Sequence, residues 1–156
     1  MKPEVWVIRA DKSIANKVEN GLLVAIGWPQ MGDLSKLNTK EEYQKHYQNV
    51  YGTIGSKVTT GANQLYRFVL KVQIGDYVLT PLSLSREILI GKVIGDYAYD
   101  PQAVSTDYPN VRNVSWYKKI SRDVLSPKLK GSSGSIMTVF NISKYLPEIE
   151  DMICRN

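Results

Sequence analysis

The hydrophobic pattern of the chain divides into a first half with helical periods and a second half with strand periods. The unbroken apolar run of residues 22–27 predicts a buried strand, and the shorter run of residues 4–8 predicts another. Elsewhere in this half, apolar residues recur at helical intervals. The pattern predicts helices over 11–21, 37–52 and 62–72, with a Gly- and Thr-rich loop over 52–64.

Beyond residue 73 the period shortens, and the pattern indicates mainly strands. The predicted strands cover 74–81, 86–100, 111–121 and, with a short helix as the alternative, 136–143; loops are predicted at 100–110 and 125–135. Five or six strands interrupted early by helices indicate an α+β fold built on a small, strongly bent sheet or barrel. We expect one domain over residues 1–145 and a terminal helix or linker over 146–156.

Composition is that of an ordinary globular domain. The chain has 156 residues, of which 43% are hydrophobic and 22% charged, and its one cysteine excludes an internal disulfide. No apolar run approaches the roughly 20 residues that span a bilayer, and the N-terminus lacks a signal core, so we expect a cytoplasmic protein without membrane contact. The net charge of +5 gives a mild bias toward polyanions.

Candidate catalytic groups are sparse. His46 is the only histidine and has no partner at metal-ligand spacing, and Cys154 has no activating neighbour except Arg155. No phosphate-binding loop motif is present, and the carboxylates occur singly. The sequence therefore predicts a binding module with no catalytic residue, no metal and no cofactor.

Aromatic residues at strand ends are the strongest candidates for binding. Trp28 lies in the turn Gly27-Trp28-Pro29 at the end of a predicted strand, and Tyr97 and Tyr99 share one face of another strand because they are two residues apart. We expect at least two of these three side chains to face one concave pocket and to stack on a flat ligand such as a nucleobase. Trp6 is a further base-binding candidate.

Basic residues near these positions could contact the phosphates that lead to such a base. Aromatic platforms bordered by cations favour nucleic-acid binding over a structural role. The candidate phosphate-binding residues are Arg9, Lys12, Lys36, Arg112, Lys118, Lys119, Arg122, Lys128 and Lys130.

The order of several short motifs resembles the PUA-like superfamily, and its EVE and YTH branches in particular. The segment IGDYVL, residues 74–79, resembles the GD-x-V strand entry of that superfamily, and IGKV, residues 90–93, resembles its following strand. The stretches GWPQMGDLS and ISRDVLSPKLKGSSGSIMTVFNIS resemble EVE-type domains at the N-termini of modification-dependent restriction proteins of the Mrr and McrB kinds. The resemblance covers about residues 4 to 143.

The resemblance implies a module that holds a flipped, modified base in an aromatic cage, with modified double-stranded DNA as the favoured partner. It places Asp11 where YTH readers offer a polar group to the base edge, and it places Trp28 at the rim of the cage rather than its floor. It also implies a nuclease or NTPase fused to the domain in a longer protein. Two alternatives stay open: a reader of modified RNA, and a PUA-like domain that binds a small molecule or a protein.

Overall fold

The computed structural model describes residues 2–53, 55–135 and 137–155, and it forms one strongly bent, mixed sheet with helices packed against it. The strand order is β2-β6-β4-β3-β1-β7, with β5 added beside β6; β1 and β3 pair in parallel and the other pairs are antiparallel. The predicted α+β class with a bent sheet is confirmed. The strands are β1 (Val5–Ile8), β2 (Leu23–Ile26), β3 (Tyr77–Leu82), β4 (Glu87–Val93), β5 (Ala98–Tyr99), β6 (Asn110–Ser121) and β7 (Val139–Asn141).

Within the part of the chain that the structure describes, five α-helices surround the sheet. The second of these helices has the N-terminal cap that the sequence pattern predicts, because the hydroxyl of Thr39 accepts a hydrogen bond from the amide of Glu42 at 3.1 Å. The helix ends at Gly52, whose backbone is in the left-handed region. The helices are α1 (Ala15–Gly21), α2 (Lys40–Tyr51), α3 (Ser56–Tyr66), α4 (Pro127–Ser133) and α5 (Leu146–Cys154).

Three predicted elements differ from the structure. Helix α3 begins at Ser56, inside the predicted loop, because Val58, Ala62 and Leu65 provide a buried face despite the Gly and Thr content. The predicted loop at 125–135 contains α4, whose first turn is capped by the hydroxyl of Ser126. The long strand predicted at 86–100 is interrupted after Val93, and only two residues pair again, as β5.

The hydrophobic core is split between the two faces of the sheet. One large cluster lies between the sheet and helices α2 and α3, and a second lies under α4 and α5. Leu146, Ile149 and Met152 of α5 are buried in the second cluster. Packing therefore continues beyond residue 145, where the sequence predicted a domain boundary.

Gly91 allows strands β4 and β6 to approach each other closely. The pairing register shifts between Ile90 and Gly91, and a Cβ atom at Gly91 would lie 2.4 Å from the carbonyl oxygen of Ser115 and 2.7 Å from the ring of Trp116. Any side chain larger than hydrogen would force the strands apart. Such an irregularity increases the local bend, which helps curl the sheet.

After α3 the chain continues in a wider π-helical turn, Arg67–Lys71, in which the amide of Val72 donates to the carbonyl of Arg67 at 2.8 Å. The buried guanidinium of Arg112 donates to the carbonyl of Phe68 at 3.0 Å and makes a longer contact with that of Val69. Burial is the main factor lowering the pKa of Arg112. Its assignment as a surface phosphate contact is therefore wrong, because its guanidinium holds the end of this helical turn.

Candidate functional site

A cavity of about 450 Å³ opens at the end of the sheet where β1, β2 and β3 finish. The parallel pairing of β1 with β3 places the ends of these two strands side by side, and the antiparallel pairing of β2 with β6 places the end of β2 beside the loop before β6. The bent sheet brings both sets of loops to one cavity. Aromatic, basic and acidic side chains meet there. The cavity is lined by Arg9, Ala10, Asp11, Lys12, Ala25, Ile26, Gly27, Trp28, Pro81, Ser83, Tyr108 and Thr138.

Trp28 forms one wall of this cavity in a backbone conformation that is costly for its residue type. Its φ and ψ angles of 58° and 53° are left-handed, which costs a non-glycine residue about 1–2 kcal/mol. A short 3₁₀ turn, Pro29–Met31, follows directly and holds this conformation. The indole Nε1 donates to the hydroxyl of Tyr47 at 3.2 Å, so one edge of the ring is fixed while the side chain stays partly exposed. Local strain in an ordered residue is common at binding sites.

Tyr108 is the second aromatic residue of the cavity, and the sequence analysis missed it. It lies in the turn-rich loop before β6 and is followed by Pro109, just as Trp28 is followed by Pro29. Burial and the neighbouring charge of Asp11 raise the pKa of Tyr108. An aromatic residue directly before proline in a predicted loop was the signal that could have found it.

Asp11 brings a carboxylate to the cavity. Its side chain accepts from the hydroxyl and the amide of Ser13, which hold the pKa of Asp11 below its usual range. The carboxylate is therefore an ionised hydrogen-bond acceptor on the cavity wall. Whether it contacts a base edge stays a prediction.

Arg9 separates the main cavity from a smaller neighbour of about 270 Å³. Its guanidinium donates from Nε to the carbonyl of Ser135 and from a terminal nitrogen to that of Ser133, both at 2.7 Å. Burial lowers the pKa of Arg9 and the nearby charge of Arg122 lowers it further, so positive charge is concentrated here. The smaller cavity is lined by Arg9, Pro81, Leu82, Ser83, Arg86, Glu87, Ile88, Arg122, Ser133 and Gly134.

Three predicted base-binding residues lie outside the main cavity. Trp6 is 5% exposed and its Nε1 donates to the carboxylate of Asp76 at 3.0 Å, so it belongs to the core. Tyr97 is partly buried and packs edge-on against Phe68, whereas Tyr99 is exposed on the short strand β5. Of Trp28, Tyr97 and Tyr99, the main cavity is lined by Trp28 alone, and the strand that was to align the tyrosines is interrupted after Val93. Base binding by Tyr97 and Tyr99 stays a prediction.

Two lysines of β6 are engaged elsewhere. The ammonium of Lys118 donates to the carbonyl of Met152 at 2.7 Å and to that of Arg155, so it caps the end of α5. Lys119 forms an ion pair with Glu19 at 3.0 Å. Phosphate binding by Lys118 and Lys119 stays a prediction, although both side chains have partners within the protein.

The other predicted cations differ in their surroundings. Lys12, Arg9 and Arg122 line one or both cavities, and Lys130 lies 3.7 Å from the carboxylate of Asp123. Lys36 and Lys128 are exposed on loops or helix surfaces away from the lining residues. Phosphate binding by any of these residues stays a prediction.

Within residues 2–53, 55–135 and 137–155, no group of three or more His, Cys, Asp or Glu side chains is placed to hold a metal ion. Over the same ranges, no helix has the length and apolar character needed to cross a membrane.

Comparison with solved structures relates the fold to YTH domains. The YTH domain of Zygosaccharomyces rouxii MRB1, solved in complex with N6-methyladenosine RNA, aligns with a TM-score of 0.50 and 11% identity over 97% of this chain and 86% of that chain. The Mmi1 YTH domain gives 0.49 and 8% over 96% and 94%. Protein Atu2648 of Agrobacterium tumefaciens gives 0.42 and 14% over 97% and 93%. At the level of the fold, the predicted resemblance to YTH domains is confirmed.

Sequence comparison assigns the family. No curated protein matches this sequence. The family model described as "Domain of unknown function (DUF8426)" matches residues 6–143, which include strands β2 to β7, all of β1 except Val5, and all the residues that line both cavities. Because the match extends over most of the chain, the protein belongs to the DUF8426 family.

Proposed function

We propose that this protein is a nucleic-acid-binding module that reads a modified base in the cavity between Trp28 and Tyr108. The observation that carries the proposal is the composition of that single cavity. It combines two aromatic side chains, one ionised carboxylate and two cations, Arg9 and Lys12. This is the equipment needed to hold one unstacked base and the phosphate chain leading to it.

Each group has a distinct role in this proposal. Trp28 and Tyr108 stack on or enclose the base, and stacking on aromatic side chains contributes about 1–3 kcal/mol per base. A methyl group adds apolar surface, whose burial contributes about 0.8 kcal/mol. Because this gain is small, it distinguishes a methylated base from an unmethylated one only if the aromatic wall of the cavity is rigid. The left-handed turn and the hydrogen bond to Tyr47 hold Trp28 in place.

Asp11 gives the cavity a preference for bases that donate a hydrogen bond. Adenine N6 and cytosine N4 carry such N–H groups, and a singly methylated amine keeps one of them. The carboxylate accepts a hydrogen bond from this N–H group, and its charge would repel the O4 of thymine or the O6 of guanine placed at the same position. The proposed ligands are therefore methylated adenine and methylated cytosine.

The cations beside the cavity supply the attraction for phosphate. Arg9 and Arg122 lie together at the smaller cavity, where their mutual repulsion is relieved by an anion. A small-molecule pocket would not need this basic surround, so the arrangement favours a polyanion over a free metabolite.

We propose modified duplex DNA as the partner, in line with the sequence resemblance to modules of modification-dependent restriction proteins, and a fused nuclease or NTPase as the effector. Modified RNA is the second candidate. It is favoured by the alignment with a YTH domain that was solved in complex with N6-methyladenosine RNA.

A binding screen tests the proposal. Duplexes that each carry one 5-methylcytosine, 5-hydroxymethylcytosine, 4-methylcytosine or 6-methyladenine are titrated by fluorescence anisotropy against the unmodified duplex, with N6-methyladenosine RNA as a separate arm. We expect at least one modified oligonucleotide to bind about tenfold more tightly than its control, with affinity falling as salt rises. Equal affinity for all oligonucleotides, or binding indifferent to salt, would rule the proposal out.

A further inference from the structure

The turn between β3 and β4, residues 83–86, presents an apolar side chain beside the main cavity. Leu84 is 78% exposed, and Val124, in the 3₁₀ turn after β6, is 64% exposed. These are the two most exposed large hydrophobic side chains among the residues that the structure describes. Single exposed leucines are common on protein surfaces, but two on adjoining segments at a binding edge need an explanation.

Hydrogen bonds hold the two segments together. The amide of Arg122 donates to the carbonyl of Arg86 at 2.9 Å, and the guanidinium of Arg86 pairs with the carboxylate of Asp123 at 3.1 Å. Arg86 has a φ angle of 54°, and the amide of Ser85 donates back to the carbonyl of Leu82. The turn is therefore fixed in shape, and Leu84 loses little freedom when it contacts a ligand.

The turn adjoins the place where a base would enter. Ser83, directly before Leu84, lines both cavities, and Pro81 also lines both. Arg86 and Arg122 line the smaller cavity beneath the turn. The turn therefore has an apolar tip with cations around it, next to a cavity that could hold a base. This arrangement is complementary to an opened duplex, in which the apolar faces of the bases are exposed between two anionic phosphate backbones.

We propose that Leu84 is a wedge that enters duplex DNA and fills the space left by the base held in the cavity, with Val124 exposed on the adjoining segment. This inference rests on the proposed function and adds to it that the ligand is a duplex rather than a single strand. Extruding a base costs a few kcal/mol of pairing and stacking, and an inserted apolar side chain restores part of the lost contact.

If Leu84 is a wedge, its removal should lower the affinity for a duplex more than the affinity for a single strand. In the full-length chain, Leu84→Ala is titrated against a modified duplex and against the same modified strand alone. We expect the affinity of Leu84→Ala for the duplex to fall about tenfold and its affinity for the single strand to change less than about twofold, because no stack is opened there. A 2-aminopurine placed next to the modified base should also brighten less when the variant binds.

Ile74→Ala is the matched control. Ile74 is 55% exposed and lies before β3, at the opposite end of the strand from Leu84. We expect it to bind both ligands like the unaltered chain. Thermal melting of both variants checks that neither lowers stability, since both side chains are solvent-exposed.

The outcomes separate this proposal from the one on which it rests. Preference for the modified base on single strands only would refute the wedge while leaving base reading intact. Unaltered duplex binding by Leu84→Ala would have the same meaning. An equal loss on duplex and single strand would also refute it. Absence of any preference for a modified base would refute both proposals.

Discussion

Trp28 and Tyr97 both follow sheet strands and both pack against the main core, yet their polar groups are used differently. The hydroxyl of Tyr97 donates to Asn110 at 2.6 Å and accepts from the amide of Leu34 at 3.2 Å, and burial raises its pKa to about 12. Trp28 makes one hydrogen bond at its edge and lines an open cavity. An aromatic side chain whose polar group is fully hydrogen-bonded stabilises the fold, whereas a strained and partly exposed one is available to contact a ligand.

The largest effect should come from the structural member of the pair. Tyr97→Ala removes a packed ring and leaves the buried side-chain oxygen Oδ1 of Asn110 without the hydroxyl that donates to it. We therefore expect the free energy of unfolding to fall by about 3 kcal/mol. Denaturant unfolding measures this. Ligand affinity measured below the melting transition should be unchanged; a selective loss of affinity would return Tyr97 to the binding site.

Trp28→Ala should affect binding more than folding. We expect a loss of about tenfold to a hundredfold in affinity for the modified ligand, because stacking on the indole is removed. Tyr99→Ala is the control, since Tyr99 is an exposed aromatic residue outside the cavity. If Trp28→Ala melts at a much lower temperature but binds normally once folded, Trp28 is a core residue and the contrast with Tyr97 disappears.

The strain at Trp28 can be measured by comparing two variants with each other. Glycine occupies the left-handed region without the penalty that alanine has, so Trp28→Gly should be more stable than Trp28→Ala by about 1 kcal/mol. The difference in unfolding free energy from denaturant titrations gives the value. Greater stability of Trp28→Ala would mean that the turn relaxes when the indole is absent.

Two lysines allow a similar comparison between a residue that lines the cavity and a residue that stabilises the fold. Lys12 lines the cavity, whereas Lys118 is bonded to the end of α5. We expect Lys12→Ala to lower the slope of log affinity against log salt by about one, and Lys118→Ala to leave that slope unchanged while it weakens the packing of α5. Equal changes in slope would place both lysines on the nucleic acid.

The smallest effect concerns pH. Because the bonds from Ser13 lower the pKa of Asp11, its carboxylate stays ionised above about pH 5, and acceptance from a base should be lost only as pH falls through that lowered pKa. The affinity ratio between the unaltered chain and Asp11→Asn should therefore stay constant from about pH 8 to pH 5. A ratio that shrinks over this range would mean that another group controls recognition.

Local patterns predicted the strands and the position of Trp28 because both depend on neighbouring residues. The apolar run before Gly27 and the proline after Trp28 were sufficient to place a rigid aromatic turn at a strand end. Tyr108 could not be paired with Trp28 from the sequence, since 80 positions of chain separate them and only the pairing of β2 with β6 brings them to one edge.

Long-range contacts also explain why the partners of two basic residues could not be predicted from the sequence. Lys118 lies in β6, in a sequence pattern that is typical of an exposed lysine on a strand. Nothing near it in the sequence indicates that α5 ends beside it. Arg112 lies in an equally polar-looking strand, yet its acceptors are the carbonyls of Phe68 and Val69, more than forty residues away. Charge alone does not distinguish a ligand contact from an internal cap.

The π-helical turn at Arg67–Lys71 gives the chain an unusual intolerance of length changes at one point. A hydrogen bond from Val72 to Arg67 spans one residue more than an α-helical bond, so deleting a single residue there would restore an ordinary α-helix. The repaired helix would turn its last carbonyls away from Arg112 and leave a buried cation without its acceptors. In a comparison of related genes, this segment should accept substitutions but keep its length.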